Sequence, residues 1–395
     1  MNRRRFLAST SLALGTTVPI ARAVSPAPLS VAVIGDTKRG AYGHGIDTLW
    51  LDLPQHTKIV AVSDPDPAGL AKALARLKTD RGFSSYQEML GAVKPDLVAI
   101  GPRHIDQHHD MILAATAAGA KGIYIEKPFC RTLRESDAIL AACKKSNTKL
   151  ALAHRNRYHP VLPVIKDLIA KDQLGRVLEI RTRGKEDQRG GSLDLWVLGS
   201  HVLNLAVYFT GAPTACTASI YQDGRPITKA DVTDGAEGVG PLAGNEIHAR
   251  FETTSGIPLF FDSIKDAGSR ESGFGVQITG TKGIIDLRID EEPLAHLLPG
   301  HPFDPTSEAR TWTPITTAGI GQPEPITDIK KQVAGHLAAA LDLIAAIQEN
   351  RDPLCHEKEG HMTVEMISAV FESQRQNGSR ILFPLTERRN PLSLL

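Results

Sequence analysis

The chain has 395 residues, with 45 Lys plus Arg against 44 Asp plus Glu, 42% hydrophobic and 23% charged residues. Its near-neutral charge excludes a nucleic-acid binder or a polybasic membrane-surface binder, both of which need surplus cations to neutralise phosphate. The length suits about two globular domains, and no apolar run reaches the roughly 18 residues that membrane insertion requires.

The chain opens with Arg3, Arg4 and Arg5, a mildly apolar run from Phe6 to Ile20, and then Ala21-Arg22-Ala23. A charged start, a short apolar segment and a small-x-small site make residues 1–23 a signal peptide cleaved after Ala23. Arg3, Arg4, Phe6 and Leu7 are arranged as in a twin-arginine signal, which they resemble. The expected transient partner is therefore the twin-arginine translocase, and the expected location is the periplasm. Cleavage would remove four arginines and no acid, leaving 41 cations against 44 anions and a net charge of −3.

From residue 29 to 154, short apolar runs alternate with helical patterns. The runs are Leu29 to Ile34, Lys58 to Ser63, Asp96 to Ile100, Gly122 to Ile125 and Lys149 to Ala153. Unbroken Val, Ile, Leu and Ala mark strands buried on both faces of a parallel sheet. Helices are predicted over Ala68 to Lys78, Gln107 to Ala118 and Leu133 to Ser146, the last with Thr132 and Glu135 at capping-box spacing. This alternation predicts an α/β Rossmann domain with a doubly wound parallel sheet.

The first run is followed by Gly35-Asp36-Thr37-Lys38-Arg39-Gly40, a dinucleotide fingerprint with Thr37 in place of the middle glycine. The glycines serve a tight turn and close approach to pyrophosphate, and Thr37, Lys38 and Arg39 add a hydroxyl and two cations. Asp64 ends the second run. A carboxylate there accepts ribose hydroxyls and repels a 2′-phosphate, which favours NAD without excluding NADP. The alternative for Asp64 is an ordinary loop carboxylate ahead of Pro65.

Residues 155–386 change character. After a helix at Leu162 to Lys171, alternating runs appear at Val177 to Arg183, Ala215 to Tyr221, Ile247 to Glu252, Ile257 to Ile264, Val276 to Thr279 and Ile284 to Ile289. One wet face predicts an α+β domain with an open, mainly antiparallel sheet. A helix is expected over Trp196 to Phe209. Two more close the chain, one carrying Val333, Leu337, Leu341, Ile344 and Ile347, the other Val364, Ile367 and Phe371. The Gly- and Pro-rich stretches 222–244 and 291–327 read as surface excursions.

Glu126-Lys127-Pro128 stands at the end of the Gly122 to Ile125 strand, where ligands sit in open α/β sheets. With the glycine turn before it and His154-Arg155-Asn156-Arg157-Tyr158-His159-Pro160 after it, the chain resembles the Gfo/Idh/MocA family of sugar oxidoreductases over residues 29 to 386. The resemblance implies a nicotinamide dinucleotide in the first domain, a carbohydrate against the second domain's sheet, and a homo-oligomer, dimer or tetramer. It implies that Lys127 and Glu126 border the cofactor, with Pro102 and His104 of Gly101-Pro102-Arg103-His104 in the family's T-P-N-x-x-H segment beside it.

The family's D-x-x-x-H motif aligns with Val197 and His201, so its carboxylate is missing, and Asn204 stands where many members place another Asp. Asp187 and Asp194 are candidate substitutes. Arg157 and the polar loop containing Lys185 and Asp187 suit polyol recognition, and Trp196 is either a sugar-stacking ring or core. A hydride leaving a carbinol carbon requires the hydroxyl proton to leave too. His201 is assigned as general base and Lys127 as the ammonium that stabilises alkoxide charge, with the exchange of the two roles as the alternative. His104, His108 and His109 beside Asp106 and Asp110 raise a metal site as an alternative to this cofactor segment; we assign no metal.

The activity implied is hydride transfer between a carbohydrate secondary alcohol and a tightly held NAD. Two alternatives stay open. One is a glycoside hydrolase or lyase working through transient C3 oxidation and elimination; the other is a non-catalytic sugar or nucleotide binder.

Overall fold

The computed structural model describes residues 27–268 and 274–395. The expected signal at 1–23 lies outside the described residues. Strands β1 (Leu29–Ile34), β2 (Thr57–Ser63), β3 (Gly82–Phe83), β4 (Leu97–Ile100), β5 (Gly122–Ile125) and β6 (Lys149–Leu152) form one parallel sheet in the order β3-β2-β1-β4-β5-β6. All of β4 and β5, and Val31 to Ile34 of β1, are buried. Apolar side chains therefore line both faces, each fully buried Val, Ile or Leu contributing about 2 kcal/mol. The order reverses between β1 and β4, which opens a crevice at their carboxyl ends.

Helices α1 (Pro67–Leu77), α2 (Tyr86–Val93), α3 (His108–Ala117) and α4 (Leu133–Ser146) cover this sheet. Thr132 caps α4 by accepting from Glu135 N at 3.2 Å, but the Glu135 carboxylate turns to Arg131 N at 2.8 Å, so half of the predicted capping box forms.

The chain after β1 departs from the fingerprint's strand-turn-helix. Residues 35–48 are turns, followed by a short 3-10 helix at Leu49–Asp52. Gly40, Gly43 and Gly45 have φ of 91°, 65° and 93°, and Ala41 has 57°; left-handed residues at this density cannot propagate an α-helix. A helix N-terminus facing the crevice is therefore absent at this crossover.

The second domain is built on an 11-stranded sheet. Val177–Arg183 lies inside it, parallel to Leu259–Ile264 and antiparallel to Gly275–Gly280. Stretch 222–244 contains a small hairpin, Thr233–Gly235 with Gly240–Leu242, and stretch 291–327 adds Ala295–Pro299, Thr313–Thr316 and Gly319–Ile320 to the sheet. These strands were hidden by their shortness and by Pro and Gly. The helical run Ser192–Thr210 is long and apolar enough to span a bilayer, yet 72% of its most apolar window is buried inside the protein, as befits a core helix.

The single helix expected around Val333 and Leu341 is broken. It becomes Ile329–Ala334 and Leu337–Glu349, with His336 left-handed at φ 63°. The break rotates the second piece, so Leu341 is 41% exposed while Ala340 and Leu343 are buried.

Candidate active site

Glu126 and Lys127 follow β5 directly and are both buried, at 1% and 6% exposure. The Lys127 ammonium donates to the Val197 carbonyl at 2.8 Å. Val197 belongs to a π-turn, Leu195–Gly199, that interrupts the Ser192–Thr210 run. A π-turn takes carbonyls out of the α-helical register and recurs at functional sites. The position where the family resemblance expects a carboxylate thus meets the lysine through its backbone oxygen.

Neither candidate substitute replaces that carboxylate. Asp194 is fully buried and accepts from Lys185 N (3.1 Å), Glu186 N (3.0 Å) and Ser263 Oγ (2.6 Å), which pins the polar loop to the helix. Burial pushes its carboxyl upward against these three donors. Asp194→Ala strands two backbone N–H groups and a hydroxyl, and is expected to cost about 3 kcal/mol in urea unfolding. A loss under 1 kcal/mol would contradict this bracing role. Asp187 pairs with Arg189 within its own loop.

Lys127 and His201 open onto one cavity of about 90 Å³, together with His44, Glu126, Arg155, Asp290 and His336, and walled by Phe274. The Phe274 ring stands edge-on to His201, centroids 6.1 Å apart. His201 Nδ1 lies 3.4 Å from His154 Nδ1. Burial, then the Lys127 charge, hold His201 well below the usual imidazole range and bring His154 down to about 3. Burial lowers Lys127 as well, opposed mainly by Glu126. Glu126 resists burial, which would raise it: the hydrogen bond from His44 and the Lys127 charge hold it at about 2. His336 is pushed down to about 4 by burial, with Glu126 opposing, and its Nδ1 meets Tyr124 Oη at 2.7 Å.

Four residues expected at the substrate lie elsewhere. Trp196 is 1% exposed in the core, its ring 6.5 Å from that of Phe371. Asn204 is buried behind the helix, 3.5 Å from Glu359. Arg157 is tied to Glu359 at 3.1 Å and lies over the Tyr208 ring. It is Arg155 that reaches the cavity, because two residues along a 3-10 turn point about 240° apart. Lys185 is exposed on the loop and does not line the cavity.

At the crevice, the glycines are filled by protein. A Cβ on Gly35 would sit 2.1 Å from the Tyr42 ring, and one on Gly40 2.4 Å from Arg103 N. Asp64 is fully buried and accepts from Thr37 Oγ1 (2.6 Å), Tyr42 Oη (2.8 Å) and Asp66 N (2.9 Å). It is spent inside the turn and does not offer itself to a ribose, because the Thr37 hydroxyl folds onto it. Lys38 is exposed beside Asp66 at 3.1 Å.

The diphosphate end fits a dinucleotide better. Arg39, His104 and Arg131 line a cavity of about 350 Å³, and Arg39 Nε is buried without a partner. Two guanidinium groups at the β1–β4 crevice suit a diphosphate. Asp106 (already paired with Arg39 Nη2), Asp234 and Glu237 line the same space and Glu135 holds the Arg131 guanidinium, so a bound anion must compete with these carboxylates. Pro102 contributes its carbonyl to His108 Nε2 at 2.8 Å, while His108 Nδ1 meets the Pro128 carbonyl at 2.8 Å. The histidine cluster thus disperses: His108 bridges two loops and His109 pairs with Asp110.

His44, His154, Asp290 and His336 were not singled out as site residues. Only His154 had a signal, as the start of the quoted 154–160 run; the others come from turns and a broken helix.

Two family models match the chain: the Gfo/Idh/MocA oxidoreductase family, NAD-binding Rossmann fold, over residues 29–154, and its C-terminal alpha/beta domain over residues 166–381. Levoglucosan dehydrogenase of Pseudarthrobacter phenanthrenivorans is 25% identical over 362 residues, covering 80% of this chain and 87% of its own. D-apiose dehydrogenase of Paraburkholderia graminis is 25% identical over 193 residues, 46% of this chain and 51% of its own. A levoglucosan dehydrogenase structure with NADH superposes with a TM-score of 0.71 at 20% identity, covering 91% of this chain and all of that one. The order of the parallel sheet, the Glu126-Lys127 turn after β5 and matches to both domains lead to one conclusion: the chain belongs to the Gfo/Idh/MocA family of NAD-binding oxidoreductases.

Proposed function

We propose that this protein moves hydride between a secondary alcohol of a carbohydrate, whether sugar, glycoside or cyclitol, and a tightly held NAD. The observation that carries this reading is the meeting of Lys127, His201 and His44 at one small cavity beside the β5 terminus. The sugar dehydrogenases among its relatives support the substrate class. When bound, the nicotinamide supplies the two-electron acceptor. Arg39 and Arg131 would hold the diphosphate. Lys127, oriented by the Val197 carbonyl, places positive charge where the carbinol oxygen becomes negative. Because Asp64 is spent inside its turn, NADP is the cofactor to test beside NAD.

A second reading, cleavage of a glycoside through transient oxidation and elimination, is favoured by the presence of more than one imidazole at that cavity, His44 and His201 beside His336. Elimination needs one group to take a carbon-bound proton and another to protonate the leaving oxygen.

Incubating the native protein with a glycoside panel separates these readings. Ketosugar with reduced nicotinamide supports the first, aglycone release without net reduction the second. Neither product, with sugar still bound, would leave a non-catalytic binder. Export to the periplasm by the twin-arginine route, with cleavage after Ala23, belongs to the same proposal; an exported protein whose N-terminus is still Met1 would contradict it. A homo-oligomer is expected, and a monomer by light scattering would count against it.

A further inference from the structure

The turn after β1 delivers a histidine whose role the family motifs do not supply. Gly43 has φ 65°, and a Cβ there would lie 2.5 Å from Glu126 Oε2 and 2.7 Å from the Gly101 carbonyl. Only glycine lets the backbone pass this close over the ends of β4 and β5. The next residue, His44, then places both its backbone N (3.2 Å) and its ring Nδ1 (2.9 Å) on Glu126 Oε2. The other carboxylate oxygen accepts from Lys127 N at 3.0 Å.

Glu126 is buried and ionised, so it only accepts. In the neutral form of the His44 ring the proton therefore sits on Nδ1, and Nε2 is left as the acceptor. This is the logic by which a carboxylate fixes the tautomer of a catalytic imidazole and stabilises its imidazolium. The other two imidazoles at the cavity lack that support. His201 faces His154 through Nδ1, and His336 faces the Tyr124 hydroxyl.

We propose that His44, held by Glu126, exchanges the substrate hydroxyl proton, while His201 and Lys127 hold the substrate oxygen. This rests on the carbohydrate-dehydrogenase reading above. In oxidation the O–H bond breaks and its proton goes to His44 Nε2. The freed electron pair would close the C=O bond as the carbon's hydride leaves for the two-electron acceptor that a bound, oxidised nicotinamide would supply. A half-exposed His44 ring can then release the proton to water.

The test has two arms. In full-length protein labelled with ¹⁵N-histidine at pH 8, side-chain NMR is expected to show His44 with a protonated Nδ1 and a bare Nε2, and Glu126→Leu, which removes the acceptor, to abolish that preference. A protonated Nε2 in the wild type overturns the proposal even if no sugar substrate has been found. With a substrate in hand, His44→Ala is expected to lose about 100-fold in kcat, keep KM within about threefold, retain its dinucleotide, and regain about tenfold on adding imidazole. Retention of more than a third of kcat, or a loss that imidazole does not relieve, overturns it. If the wild type oxidises no carbohydrate, the dehydrogenase reading fails while the NMR arm still judges the dyad.

Discussion

Lys127→Met is expected to lower kcat about 1,000-fold while leaving the fold intact. A preorganised donor aimed at developing charge is worth about 3–4 kcal/mol. Methionine keeps the length of the side chain without its ammonium, which burial already disfavours. The Val197 carbonyl loses a partner, at about 1 kcal/mol, but the cost of desolvating a charge disappears as well. The melting temperature should therefore stay within a few degrees. Initial rates beside a thermal melt check both halves, and kcat within tenfold of the wild type would remove Lys127 from the chemistry.

Stability is expected to fall as pH drops below about 6.5, as buried histidines begin to favour the unfolded chain. His154 and His336 are both 2% exposed, with folded-state values of about 3 and about 4 against 6.5 for the free side chain. A base depressed in this way stays neutral when folded and takes up a proton when unfolded. Its stabilisation is complete above 6.5 and is lost as pH falls towards the folded value. At pH 5 the loss is about 2 kcal/mol for each histidine. Glu126 adds a second window: held at about 2 against 4.5, it loses its contribution only as pH falls below about 4.5. Urea unfolding between pH 8 and 5 should show this fall, and His154→Gln should flatten part of it, the rest coming from His336 and from His201, which is also held well below the usual range. A pH-independent midpoint over that range would contradict the burial argument.

The elements that sequence pattern revealed best were those buried on both sides or alternately wet. Gly122–Ile125 and Val177–Arg183 match the predicted runs because a short, β-branched apolar run is too brief for a buried helix and strict alternation fits a strand with one wet face. The site was half legible. Lys127 and His201 were visible because each sits in a motif, one at a strand end and the other on the apolar helix after the polar loop. His44 was not, since its position depends on a run of left-handed residues that no periodicity encodes. Val197 shows the converse. It looked like a lost carboxylate, but a π-turn brings its carbonyl to Lys127. Asp64 followed the fingerprint's spacing, yet the non-glycine Thr37 turned it inward. In each case a backbone conformation, invisible to side-chain pattern, decided which group faced the cavity.

The central claim is direct hydride transfer from a carbohydrate carbon at the Lys127 cavity. The most direct test incubates the native protein with sugars deuterated at their carbinol carbons, then denatures it and weighs the released dinucleotide. The account predicts a reduced nicotinamide one mass unit heavier than that formed from the unlabelled sugar, and none from Lys127→Met. A protein that neither carries nor binds a dinucleotide, or that oxidises sugar without the label reaching the nicotinamide, would contradict it.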